Sequence, residues 1–211
     1  MKRTDWLTGA VLGAVLAAGG ITAAVAADDR PSGSGSGADG VPSSTSADAG
    51  FARDMSVHHQ QAVEMSYIIR DRTKNEEIRR LAYDIAQTQA NQRGMMLGWL
   101  DLWDLPKVSV DPPMKWMGMG DAPGGEDGAL MPGMATKAQM KRLGQLNGRK
   151  AEVYFLRLMT AHHNGGIHMA QGCVERCGVP VERRLAQGMV ESQESEVKLM
   201  ADLLKARGAK P

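Results

Sequence analysis

The chain of 211 residues is poor in aromatic side chains, which make up 4% of it, and it contains only two cysteines. A structural zinc site usually takes Cys and His in a closed tetrahedron, so two cysteines give little support for one. The sequence has no Cys-x-x-Cys-His, which excludes covalent attachment of haem. It also has no Glu-x-x-His, the motif of a ferritin-like di-iron site, and this argues against such a site.

The chain also lacks an excess of charge of either sign. Its formal net charge is +1, and removing Lys2, Arg3 and Asp5 with the N-terminal segment brings it to 0. A protein that binds nucleic acid usually carries a basic surface. We therefore expect no nucleic-acid partner.

The N-terminal segment has the pattern of a secretory signal. Residues 1–26 combine a short basic start, an apolar stretch and a small-residue exit at Ala24–Ala26. Cleavage near Ala26 would place the protein outside the cytoplasm, either secreted or in the cell envelope or periplasm. The alternative is a membrane anchor through residues 7–26, because the apolar run is just long enough to span a bilayer. Residues 27–49 are rich in Ser, Gly, Ala and Asp and predict a disordered tether.

Against this background the chain has 15 methionines, and four of its five histidines fall into two matching frames. The first frame, MSVHHQQAVEM, runs from Met55 to Met65, and the second, MTAHHNGGIHM, runs from Met159 to Met169. Each frame has a Met, two adjacent His and a second Met at the same spacing. His168, in the second frame, has no counterpart in the first and is expected on the surface.

The two frames belong to an internal repeat. Shifting the chain by 104 residues, from His58 to His162, also aligns R-L-A at 80–82 with R-L-A at 184–186. Three further identities follow at the same offset: Gln89 with Gln193, Met96 with Met200, and Leu100 with Leu204. Such self-similarity indicates a duplicated unit.

Each unit reads as a helical hairpin. The hairpins cover residues 50–106 and 136–207, and residues 107–135 form a connecting loop rich in Met, Gly and Pro. The predicted helices are 47–72, 76–103, a short one at 136–146, 147–177 and 181–206, with Asn75 as an N-cap and Gly178-Val179-Pro180 as a stop. Two hairpins that cover each other's apolar stripes predict an all-α fold, a four-helix bundle.

Helical geometry places the His and Met side chains of each frame on one face. At 100° per residue, the first frame's Met and His positions fall within an arc of about 120°. The second helices carry polar residues on their apolar stripes, which need partners because an unpaired buried polar group costs about 1–3 kcal/mol. The candidate metal ligands are His58, His59, Met55, Met65, Met96, His162, His163, Met159, Met169 and Met200. Their supporting partners are Gln89, Gln92, Gln193 and Glu196.

Ligand softness favours copper over other metals. Thioether sulfur is a poor ligand for zinc, calcium or ferric iron and a good one for Cu(I), whereas imidazole serves both Cu(I) and Cu(II). Cys173 and Cys177 lie one helical turn apart on the same arc as His162 and Met169. They predict a disulfide in a secreted protein, or alternatively a thiolate pair for Cu(I).

The connecting loop contains a second group of methionines. Either the loop folds over the bundle and uses Met as filler, or it holds Cu(I) weakly while Trp116 shields the ion by a cation–π contact. The residues concerned are Met114, Trp116, Met117, Met119, Met131 and Met134.

These motifs resemble the domain of unknown function 305 family. The resemblance rests on M-x-x-H-H-x-x-x-x-x-M in both copies, followed by R-L-A, Q and M-x-x-x-L, and on MPGMAT before the second copy; it covers nearly all of residues 51–207. The family includes the secreted and periplasmic copper-binding CopM-like proteins. The resemblance implies a ferritin-like helical bundle that binds copper outside the cytoplasm and takes part in copper tolerance. Where the family commonly has Glu three residues after the shared Gln, this chain has Glu196 in the second copy and Gln92 in the first, so the two sites should differ.

The sequence thus predicts a non-catalytic copper-binding bundle for sequestration, tolerance or transfer of copper ions. Three other functions stay open. A b-type haem could be bound without covalent attachment, a metal-dependent enzyme would need an open coordination position, and a structural bundle would bind no metal. Neither the copper-transfer partner nor the oligomeric state follows from the sequence.

Overall fold

The computed structural model describes residues 40–120 and 126–210. Five α-helices lie in this part of the chain, which contains no strand element, and the prediction of an all-α fold is confirmed. The helices are α1 (Ala47–Arg72), α2 (Glu76–Leu102), α3 (Lys137–Gln145), α4 (Gly148–Arg176) and α5 (Pro180–Ala206).

Local side-chain chemistry explains where the helices begin. Ser46 accepts a hydrogen bond from the Ala49 N–H at 3.1 Å, and Asn75 accepts one from the Ile78 N–H at 3.1 Å. Thr136 and Gln139 form a reciprocal capping box at the start of α3. At the start of α5, Pro180 takes the first helical position, where a missing N–H costs nothing.

The two hairpins, α1–α2 and α4–α5, meet through their first helices. α1 and α4 pack against each other at the centre, and each second helix packs mainly against its own partner. Met55 shares a core cluster with Met169, and Met65 shares one with Met159, so the two frames cross in opposite directions. The histidine pairs therefore meet in the middle of the bundle.

The connecting loop contains only two single turns of 3-10 helix in the described residues, at Lys115–Met117 and Glu126–Gly128. Its last part, Met131–Ala135, crosses α1 and α4 and is called the strap below. The buried Gln61 side chain holds it with two hydrogen bonds: its Nε2 donates to the Ala135 carbonyl at 2.8 Å, and its Oε1 accepts from the Ala135 N–H at 2.6 Å. The strap thus lies directly over the paired frames.

Two predictions concern the N-terminal part. The signal or anchor at residues 1–26 and residues 27–39 of the tether lie outside the described residues. Residues 47–49, which the tether was predicted to include, form the first turn of α1. No helix in the described ranges is long and apolar enough to span a bilayer.

Candidate metal centre

The four histidines of the two frames are fully buried between α1 and α4. The His58 and His162 rings face each other with centroids 3.8 Å apart and planes inclined by 33°. The centroids of His162 and His163 are 6.3 Å apart. We call these four side chains the histidine quartet. His168 is exposed, as expected from its position opposite the arc.

Each imidazole of the quartet has a hydrogen-bond partner at Nε2. His58 donates to the carbonyl of Pro132 in the strap at 3.1 Å, and His162 donates to the backbone carbonyl of His58 at 3.0 Å. A carbonyl can only accept, so Nε2 carries the proton in both rings. The lone pair of each ring then lies on Nδ1.

The other two histidines, His59 and His163, are called the outer histidines. Each forms a hydrogen bond with a side chain at an equivalent position of the repeat. His59 Nε2 donates to Oε1 of Gln92 at 2.9 Å, and His163 Nε2 donates to Oε2 of Glu196 at 2.6 Å. The Glu196 side chain is 24% exposed, so this contact lies at the edge of the core. A carboxylate that accepts from an imidazole makes the ring a more basic ligand than an amide does.

All four Nδ1 atoms are buried and have no hydrogen-bond partner among the described residues. An unpaired buried acceptor costs about 1–3 kcal/mol, so four together need an explanation. Burial is the main cause that lowers the pKa of His58 to about 4 and that of His59 to about 3, and it also lowers the pKa of His162. These rings are therefore neutral at pH 7, and their free lone pairs suit a metal ion.

The six methionines predicted as ligands are all buried, and they divide into two sets related by the repeat. Met55, Met96 and Met169 lie in one core cluster, whereas Met159, Met200 and Met65 lie in the other. The first cluster also contains Met114, Met131 and Met189, and we call its six methionines the loop-side cluster. The other three, which pack near Leu143 of α3, form the α3-side cluster.

Helix geometry connects each cluster to one outer histidine. Met55 lies one turn before His59 on α1, and Met96 lies one turn after Gln92 on α2. In the same way, Met159 lies one turn before His163 on α4, and Met200 lies one turn after Glu196 on α5. Among the described residues, no three of the quartet's nitrogens converge within 4.8 Å of one another. The donors are thus arranged as two symmetrical His and Met sets that meet at the stacked His58–His162 pair.

Two of the predicted supporting residues make no contact with an imidazole nitrogen. Both amide atoms of Gln89 are buried and unpaired within the described part, as is Oε1 of Gln193. A Cβ at Gly166 would lie 2.5 Å from that Oε1, so the glycine allows Gln193 to approach α4 closely. The first copy has Ala62 at the equivalent position. Of the four predicted supporting residues, Gln92 and Glu196 therefore bond the imidazoles.

The loop methionines occupy several environments. Met114 and Met131 are buried in the loop-side cluster, Met117 and Met134 are half-buried against it, and Met119 is 36% exposed. Trp116 packs edge-on against Phe51 with centroids 5.8 Å apart, and its indole N–H donates to Asp54 at 2.9 Å. Four of the five loop methionines thus pack on the bundle, and Trp116 is held by Asp54, a contact that the sequence analysis missed.

A further group lies at the turn between α4 and α5. Cys173 and Cys177 form a disulfide, and each sulfur lies within 4.8 Å of a carboxylate oxygen of Glu182. Burial, followed by the negative charge of Asp48, raises the pKa of Glu182 to about 9. The sequence analysis missed the two carboxylates because they come from α1 and α5, which are far apart in the chain.

Comparisons with known proteins agree with the all-α fold. A DUF305 protein from Streptomyces coelicolor, described as a candidate secreted protein, is 75% identical; the match covers 80% of this chain and 98% of that one, with a TM-score of 0.75. A DUF305 fragment from Deinococcus radiodurans is 29% identical, with 76% and 96% coverage and a TM-score of 0.62.

CopM in its Cu(I)-bound form is 20% identical, with 75% and 96% coverage and a TM-score of 0.57, a likeness that shows the fold alone. No curated protein matches the chain. The sequence model described as "Domain of unknown function (DUF305)" matches residues 48–204, which is most of the chain. The protein therefore belongs to the DUF305 family.

Proposed function

We propose that this protein binds copper outside the cytoplasm, through the Nδ1 atoms of the histidine quartet and the thioethers of the six methionines that the two frames and the second helices supply, Met55, Met65, Met96, Met159, Met169 and Met200. The observation that carries the proposal is the set of four buried Nδ1 atoms without hydrogen-bond partners among the described residues, placed between clusters of buried methionines. Hydrogen bonds at every Nε2 hold the rings in the tautomer that leaves Nδ1 free.

The donor chemistry supports copper over other metals. Thioether sulfur is a soft ligand that suits Cu(I), and imidazole suits both oxidation states, so a mixed set can hold copper through a change of one electron. Zinc and ferrous iron would gain little from the thioethers. CopM, which has the same fold, has been crystallised in Cu(I)-, Cu(II)- and Ag-bound forms, in agreement with this choice.

The burial of the donors supports storage or transfer rather than catalysis. All four histidines and all six predicted methionine ligands are fully buried, so a substrate would have no path to an ion held there. We therefore propose that the protein sequesters copper, or passes it to a partner, and is not an enzyme. A location outside the cytoplasm is supported by the N-terminal sequence pattern and by the description of the Streptomyces coelicolor relative.

The test is the copper content of each chain after loading with Cu(I) or Cu(II) and dialysis against a competing chelator. We expect retained copper in both cases, with zinc and ferrous iron lost. Replacing His58, His59, His162 and His163 by Ala should abolish retention of copper while circular dichroism still reports a helical protein. His168→Ala is the matched control, since that histidine is exposed, and it should retain copper fully.

Copper retained by the folded quadruple variant would refute the proposal. If the quadruple variant does not fold, His59→Gln and His163→Gln, made singly, still test the proposal. Each keeps a polar side chain of similar size, and each should weaken copper binding. Unchanged affinity in both single variants would refute it as well.

A further inference from the structure

The disulfide at the turn between α4 and α5 is packed against the buried carboxyl group of Glu182, which lies beside a second carboxyl group, that of Asp48. Cys173, Cys177 and Glu182 are 0%, 2% and 0% exposed, respectively. The two sulfurs and one carboxylate oxygen of Glu182 all lie within 4.8 Å of one another. Neither oxygen of Glu182 accepts a hydrogen bond from a described residue, which is costly for a fully buried acid.

The neighbour of Glu182 is a second carboxylate, which makes its burial more costly. Asp48, at the start of α1, uses its own oxygens to accept hydrogen bonds from the Gly178 N–H at 3.1 Å and the Val179 N–H at 2.7 Å. These bonds fix Asp48 beside the turn. Two adjacent buried carboxyl groups can be stabilised by a shared proton or by a cation.

We propose that reduction of the Cys173–Cys177 disulfide opens a second metal site, in which the two thiolates and the Glu182 carboxylate bind one Cu(I) ion. This site is separate from the histidine quartet and does not depend on the function proposed for it. Thiolates select Cu(I) or zinc, and a structural zinc site takes four protein ligands, whereas this group supplies three. A three-donor set rich in sulfur therefore fits Cu(I) better.

The position of the two sulfurs supports this choice. Met169 and Cys173 lie one helical turn apart on α4, and Cys177 is the residue that directly follows the helix; all three lie in the same core cluster. Free thiols at these positions would extend the row of soft donors in the loop-side cluster as far as the end of the helix.

The chemical step needs an external dithiol, such as a reduced thiol-disulfide oxidoreductase. The dithiol gives up two electrons and two protons and becomes a disulfide, while the Cys173–Cys177 bond breaks and two thiols form. Binding of Cu(I) then displaces to solvent the two thiol protons and the proton that the buried Glu182 carboxyl group carries. The protein would thus take up an additional Cu(I) ion only where such a reductant is present.

The experiment compares oxidised and reduced full-length protein. A soluble dithiol is used for reduction and removed without oxygen, free thiols are counted, and both samples are titrated with Cu(I) kept reduced by ascorbate. We expect about one further Cu(I) per reduced chain, together with the ultraviolet thiolate-to-Cu(I) charge-transfer band that His and Met ligands do not produce. This band separates the proposal from the proposed function, because it must appear whether or not the histidine quartet binds copper.

Three variants identify the ligands. The double variant Cys173→Ser with Cys177→Ser should show neither the band nor the additional ion. Glu182→Gln should lower the affinity for the additional Cu(I) ion by about tenfold or more. Glu175→Gln is the matched control, because that carboxylate lies near the same end of α4 with its side chain 69% exposed, and it should have no effect.

Several outcomes would overturn the proposal. These are a disulfide that cannot be reduced without loss of helical structure, a reduced protein that binds no additional Cu(I), and zinc binding in place of Cu(I). Equal affinity in the urea-unfolded reduced chain would also overturn it, since any Cys-x-x-x-Cys segment would then suffice and Glu182 would have no part.

Discussion

The two methionine clusters contain equivalent positions of the sequence repeat but differ in what surrounds them. The α3-side cluster has three methionines among aliphatic and aromatic side chains such as Leu143 and Phe155, and its outer histidine is bonded by Glu196. The loop-side cluster has six methionines, two of them from the loop, adjoins the disulfide, and has Gln92 in the equivalent position. The donors on the helices are alike in the two sets, and the differences come mostly from the loop and from one carboxylate.

The two copies of the repeat accommodate the strap in different ways. Position 61 of the first copy is equivalent to position 165 of the second. Gln61 holds the strap through its amide, whereas Gly165 makes room for it, because a Cβ at Gly165 would lie 1.9 Å from the Pro132 carbonyl oxygen. The same carbonyl accepts the His58 hydrogen bond, so both solutions determine how one ring of the quartet is held.

The largest effect is expected from acid. Burial lowers the pKa of His58 to about 4 and of His59 to about 3, so between pH 6.5 and these values the unfolded state binds protons that the folded state does not. The free energy of unfolding of the metal-free protein should therefore fall as pH drops from 7 to 4, on the order of 3 kcal/mol or more. Urea unfolding across this pH range measures the fall.

A variant assigns this acid sensitivity to the first frame. His58→Gln with His59→Gln should flatten the dependence of unfolding free energy on pH, and His168→Ala, at an exposed position, should leave it as in the wild type. If the double variant kept the full slope, His58 and His59 would not be the source of the acid sensitivity.

The second effect tests the strap. Gly165→Ala should destabilise the protein by roughly 1–3 kcal/mol, because the obstacle is backbone and cannot rotate away. Gln61→Ala should cost a similar amount, about 1–3 kcal/mol, since it leaves the buried N–H and C=O of Ala135 unpaired. Thermal unfolding measures both.

Gly94→Ala is the control for Gly165→Ala, because it lies inside α2 with nothing within 4 Å of its would-be Cβ. It should stabilise the protein by about 0.5–1 kcal/mol, as expected for Ala in place of Gly in a helix. A neutral or stabilising Gly165→Ala would mean that the strap does not need to lie against α4.

Local features of the fold could be predicted from the sequence, whereas contacts such as those of the strap could not. Asn75, predicted as an N-cap, placed the start of α2 correctly at Glu76, because capping depends only on neighbours in the chain. The repeat and the helical arc identified every side chain of the quartet for the same reason. The Pro132 carbonyl and the Asp48–Glu182 pair were not predicted, since backbone acceptors have no sequence signature and the carboxylates are brought together only by packing of α1 against the α4–α5 turn.

The third effect concerns the one chemical difference between the two sets. Glu196→Gln should lower the Cu(II) affinity of His163 and the α3-side cluster by about tenfold, because the His163 ring then loses its carboxylate partner. Gln92→Glu should raise the affinity of the loop-side set by a similar factor. Chelator competition with both variants, and with the two combined, measures the change.

The combined variant should exchange the order of the two affinities without changing the total copper bound. Two results would mean that Gln92 and Glu196 do not set the difference in copper affinity between the two sets. One is equal affinities in the wild-type protein, and the other is an affinity that changes in only one of the two single variants. The surroundings of the clusters would then be responsible.

The smallest effects come from the loop, and they decide whether its methionines bind copper or fill space. Met131→Leu preserves volume within the loop-side cluster and should cost less than about 1.5 kcal/mol, whereas Met119→Leu, at a position 36% exposed, should change stability by no more than about 0.5 kcal/mol. Both should leave tight Cu(I) binding unchanged if the loop only covers the bundle. A lower Cu(I) stoichiometry in Met119→Leu, which keeps the packing intact, would instead identify the loop as an accessory Cu(I) site, and the loop-side cluster would then differ from its counterpart in metal capacity as well as in packing.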